Sequence, residues 1–260
     1  MRSLMRSIRS ELAKISWRSP VVYALVPLAI LIPIAINAAI AAAAQMNKFN
    51  GAGGMDTDNA AYWVIVFSTF IVMAGAVTSY CAELKDQTAD IVFGISPARW
   101  RLPVAKLAVY GAIAMATVFV ATLANLAVLP KVFPQIWDRV DPLDADGIHL
   151  LIGTPVLAFL IVALGLGVAM LVPRPGVAIM IVVLWKWGVE VFIGFIPGGF
   201  GTFLQRIALF KNGEQGAGQA PTFASLFGGP AGSMAYFAAV AVVVFGVGLA
   251  RLTFRDVSGD

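Results

Sequence analysis

Six apolar runs, each about 20 residues long, constrain this chain more than any other feature. They cover roughly 21–44, 61–80, 104–128, 149–172, 176–196 and 231–252. A helix of about 20 apolar residues spans the roughly 30 Å hydrocarbon core of a bilayer. The connections between runs are too short for a sizeable aqueous core. Of the 260 residues, 60% are hydrophobic and 12% charged. Soluble domains carry about 25% charge. The expected fold is an all-α integral membrane protein with six transmembrane helices in one domain spanning 1–260.

Charge placement orients those helices. With the N-terminus in the cytoplasm, Arg2, Arg6, Arg9, Lys14, Arg18, Lys85, Arg99, Arg101, Lys106, Arg174, Arg251 and Arg255 fall inside. Lys48, Lys131, Arg139, Arg206 and Lys211 fall outside. Basic residues gather on the cytoplasmic side of short loops. Twelve against five favours both termini inside, in the plasma (inner, cytoplasmic) membrane. The basic balance therefore reflects topology and does not point to nucleic acid. The first run is also longer than the roughly 7–15 residues of a signal-peptide core, so it reads as a retained span.

Residues 2–18 form an amphipathic helix suited to the membrane interface. Leu4, Ile8, Leu12 and Ile15 repeat at helical spacing, while arginines occupy other faces. Pro27 and Pro33 should bend the first span. Between the second and third spans, Glu83, Asp86, Gln87 and Asp90 share one helical face. Leu84, Thr88, Ile91 and Ile95 share the other, giving a short two-faced helix over 82–97. Asp138, Asp141, Asp144 and Asp146 crowd one outer loop, but without the spacing or the glycine of a calcium loop. The long connection 197–230 is rich in Gly and Phe. Its residues 200–210 fit either a short helix dipping into the outer leaflet or plain loop.

Several chemistries have no sequence support. There is one cysteine, Cys81, and one histidine, His149. No phosphate-binding G-x-x-x-x-G-K-[ST] motif and no H-E-x-x-H motif occurs. Catalysis within the chain is not expected, nor is a metal site or a cofactor.

The fifth run carries the conspicuous exception. Gly176–Ile196 contains twelve Leu, Ile, Val or Phe residues, and also Lys186 and Glu190. The aliphatic and phenyl residues favour insertion by roughly 5 kcal/mol. Each central charge costs about 3 kcal/mol. The span inserts only marginally unless the two charges meet protein or water. At i, i+4 spacing they can pair with each other. They read either as a structural pair or as part of a pathway, with Trp185 and Trp187 beside them.

The arrangement as a whole resembles an ABC transporter permease of the type-2 exporter class. Glu83, Thr88, Ile91, Val92, Pro97, Arg99 and Lys106 occur in the order of that family's loop motif, with Gln87 where a Gly is common. Phe254-Arg255-Asp256 matches its closing aromatic-Arg-Asp. The resemblance implies that 82–97 is a coupling helix. Glu83, Asp86, Gln87, Thr88, Asp90, Pro97 and Arg99 would then dock a separate ATP-binding cassette subunit, two copies per complex. ATP and Mg would be held by that subunit. A second permease copy or a homologue would complete the membrane part, and Lys186, Glu190 and Trp185 would line the translocation pathway of an efflux system. An ion-coupled secondary transporter built on Lys186 and Glu190, or a non-transporting partner module, are the alternatives.

Overall fold

A computed structural model describes residues 2–46, 54–85 and 99–254. The described residues form helices and no strands. Six helices are long and apolar enough to cross a membrane. The first helix, α1 (Arg2–Lys14), is short and amphipathic. The six long ones are α2 (Val21–Gln45), α3 (Thr57–Leu84), α4 (Arg101–Val132), α5 (Ala145–Leu171), α6 (Pro175–Ile193) and, after two short helices, the last. The short pair is α7 (Gly198–Arg206) and α8 (Leu209–Gly216). The final long helix is α9 (Pro230–Thr253). The bounds lie close to the runs read from sequence, because an uninterrupted apolar run must satisfy its own backbone and helix does so.

Helix α5 occupies the centre. It is the most buried of the long six, while α2 and α6 are the least. Gly167 of α5 lets α9 approach closely, since a Cβ there would sit 2.8 Å from the Phe245 nitrogen. Small residues at helix crossings are a common membrane packing device. Two pairs of buried polar side chains meet across the spans. Asn37 of α2 donates to Asn125 of α4 at 2.7 Å. Thr122 of α4 and Thr154 of α5 share a hydrogen bond of 2.9 Å.

Two expectations for the loops take definite form. Asp144, from the acidic loop, caps α5 by accepting from the Gly147 amide at 2.5 Å, and Thr57 donates to its other oxygen at 2.9 Å. That carboxylate serves as an N-cap. Pro33 is accommodated inside α2, and the turn before Pro27 is π-helical over Val21–Leu25. The two-faced helix read over 82–97 lies largely outside the described residues. So do Asp86, Gln87, Thr88, Asp90 and Pro97 within it, and Arg255-Asp256 of the closing motif.

A candidate functional site at the buried charges of α6

The segment 197–230 turns back into the bundle. After Pro197, α7 runs beside the end of α6, where Gln205 donates to the Gly194 carbonyl at 3.2 Å. Asn212 ties the turn between α7 and α8 by donating to the carbonyls of Arg206 and Ala208 at 3.1 and 2.8 Å. Helix α8 then lies antiparallel to α5. At its C-terminal end the Gly216 carbonyl meets His149 Nε2 at 3.1 Å. Ala217 packs on Gly153, where a Cβ would fall 2.6 Å from the Ala217 carbonyl oxygen. Only a residue without a side chain admits that contact.

The other end of α8 reaches deep. Phe210 packs between Phe70 of α3 and Phe237 of α9, with both ring centroids 5.6 Å away. Phe70 lies thirteen residues past Thr57, where α3 begins. Residues 198–216 thus form a helical hairpin whose second arm, α8, packs inside the bundle. Helix extends beyond the 200–210 read from sequence, because the polar stretch Lys211–Gly216 is also helical.

The buried charges of α6 hold this arm. Lys186 and Glu190 are 4% and 3% exposed. They do not form an ion pair with each other within 4.0 Å. Lys186 instead pairs with Glu214 of α8, itself 5% exposed. Lys211 stands 3.4 Å from the other oxygen of Glu214. The Glu190 carboxylate accepts from the backbone amides of Phe210 and Lys211, at 2.7 and 3.1 Å. These are among the first amides of α8, which have no partner inside the helix. A carboxylate there also meets the positive end of the helix dipole. The i, i+4 pairing expected from sequence is therefore corrected. Both residues do share one buried face, but α8 brings each a better-placed partner.

A π-helical turn, Trp185–Val189, carries Lys186 inward. Such wide turns are frequent at functional sites. Trp185 and Trp187 point outward, 49% and 37% exposed. Lys186 Nζ lies 5.3 Å from the Trp187 ring centroid. Trp185 also borders an apolar cavity of about 220 Å³ below α8, shared with Leu164, Val182 and Phe210.

A second charged cluster lies at the α1 end of the bundle. Lys106 of α4 is fully buried and donates to Glu11 of α1, Glu83 of α3 and Ser79 of α3, each at 2.8 Å. Lys14 reaches the same two carboxylates at 2.5 and 2.6 Å. Partial burial opposes the Lys14 charge, but hydrogen bonds to Glu11 and Glu83 outweigh it and raise its pKa above 10.5. Glu83, read as a docking residue, is thus engaged within the chain.

Glu214, Lys211, Glu11 and the α8 amides were missed as site groups in the sequence. No protein-family model, no curated protein and no solved structure matches the chain.

Proposed function

We propose that this chain is the membrane subunit of an ATP-driven exporter of the ABC type-2 class, paired with a second permease copy and docked to separate ATP-binding subunits. The observation that carries the reading is the cluster around Lys106, set in the frame of six long apolar helices. The connection from α3 to α4 begins just past Glu83 and ends just before Lys106. Lys106 pairs with both Glu83 and Glu11 of α1, and so does Lys14. A force applied to that connection by a partner therefore reaches α1, α3 and α4 together. Buried ion pairs resist separation because removing either partner strands a charge.

In this reading the two termini face the cytoplasm, and the α7–α8 hairpin closes the opposite end of the bundle. Lys186 and Glu190 act on the pathway through the hairpin they hold. Trp185, beside the apolar cavity under α8, is the side chain a permeating molecule would meet. The chain transmits free energy released elsewhere by shifting between two packings.

The test is intact-mass spectrometry of the complex extracted in mild detergent from its native host. The reading expects a soluble subunit with a phosphate-binding loop in equal copy number. A chain that emerges alone from gentle, lipid-preserving extracts overturns it. The buried Lys186–Glu214–Glu190 group would then become the leading site for gradient-driven transport, to be tested in liposomes.

A further inference from the structure

A groove of about 670 Å³ lies between α1, α2, α3 and α4 at the end that carries the Lys106 cluster. Its volume falls within the roughly 300–1,000 Å³ of sites that hold small organic ligands. Its walls are apolar. Ala24 and Leu28 of α2 face Ile71 and Ala74 of α3 across it. Each wall extends about two helical turns, or roughly 10 Å at 1.5 Å per residue. One end is polar, with Glu11, Lys14, Ser19 and Ser79 at its lining. Leu28 is half exposed although it lines the groove, so the groove opens sideways onto the apolar belt of α2.

We propose that this groove binds one acyl chain of an anionic phospholipid, with the phosphate at Arg18, which precedes Ser19 of the polar end. The shape selects an amphiphile, since an apolar slot opens laterally and closes on a polar end. The charge selects the head group. Lys14 and Lys106 are balanced by Glu11 and Glu83, so the excess positive charge lies on arginines. Arg6, Arg9 and Arg18 are exposed on and just after α1. Basic groups at a membrane surface attract anionic lipid by about 1 kcal/mol each. Trp17, 89% exposed, suits the level of the head groups. A lipid seated here would wedge α1 against α2 and α3, so lipid composition would set how firmly α1 is held. The inference stands apart from the exporter reading, because it needs no ATP-binding partner.

The experiment uses the full chain in detergent and a phosphatidylglycerol carrying a photoreactive diazirine at its acyl end. Label is expected in peptides covering 24–28 and 71–78, competed by phosphatidylglycerol about tenfold better than by phosphatidylcholine. Ala74→Leu fills the slot and should cut that labelling about tenfold, the equivalent of losing contact with about two methylenes. Arg18→Gln should keep the label but erase the preference between the two lipids. Labelling spread equally onto Val242 and Val243, exposed on α9, overturns the proposal. So does unchanged labelling in Ala74→Leu, or the groove cross-linking to a second copy of the chain instead of lipid. If Ala74→Leu does not fold, the labelling map of the unaltered chain and the Arg18→Gln comparison decide.

Discussion

Replacing Lys186 by Met asks what the buried charge of α6 is for. The side chain keeps its length and loses its ammonium. Glu214 then remains buried with only Lys211, 3.4 Å away and part-exposed, to balance it. Removing one member of a buried pair costs about 3–5 kcal/mol. The nearby Lys211 places this case at the low end, about 3 kcal/mol. Glu214→Gln leaves Lys186 facing an amide, a loss of about 2 kcal/mol for a hydrogen bond to a charged group. In the double variant neither charge is stranded, so the combined loss should fall short of the two single losses by at least about 1 kcal/mol. The same cycle run with Glu190→Gln should show weaker coupling, because Glu190 is committed to the α8 amides. The assay is reversible unfolding in mixed micelles. Losses additive within about 0.5 kcal/mol for Lys186 and Glu214 would refute the reasoning. Stronger coupling of Lys186 to Glu190 would do so as well.

Three further outcomes follow from the same contacts. Glu190→Ala removes a carboxylate from two amides and should cost about 2 kcal/mol. Hydrogen exchange should quicken at the first residues of α8 and leave α4 unchanged. Lys106→Met deletes the fully buried ammonium shared by Glu11 and Glu83, and should cost about 3 kcal/mol. Limited proteolysis should then cut within α1 faster than in the unaltered chain, and equal cutting rates would count against the cluster. The pH dependence of α1 has a defined sign. The Lys14 pKa is raised on folding, so its contribution is complete below 10.5 and declines as pH rises through the higher folded value. Proteolysis of α1 should hold steady from neutral pH to about 10 and accelerate beyond, with Lys14→Gln flattening that rise.

The six spans were legible because lipid imposes a length and an apolar composition that a run of residues displays directly. A helix does begin where Leu4, Ile8 and Leu12 repeat at helical spacing, but it ends at Lys14, short of the 2–18 read from sequence. That Lys186 and Glu190 face protein was also readable, from the cost of two charges in lipid. Their partners were not. Periodicity compares residues within one helix, and Glu214 arrives 28 positions later through a hairpin. The stretch KNGEQG looks like loop in isolation. It is helical because Glu190 caps its first amides, and its glycines allow it to lie against α5 and α9. Lys106 and Glu83 show the same limit. Each read as part of a connection, while the structure buries Lys106 against a carboxylate 95 residues earlier.

The account turns on α8 standing deep against α5, and that placement can be measured directly. A Cβ at Gly213 would lie 2.9 Å from Leu157 Cδ1. Cysteines at both positions, with Cys81 changed to Ser, should be joined by a short thiol-to-thiol reagent in native membranes and be shielded from an impermeant maleimide. Failure to join, with position 213 labelled freely from the water, would contradict the buried placement of α8 and the role assigned to Lys186 and Glu190.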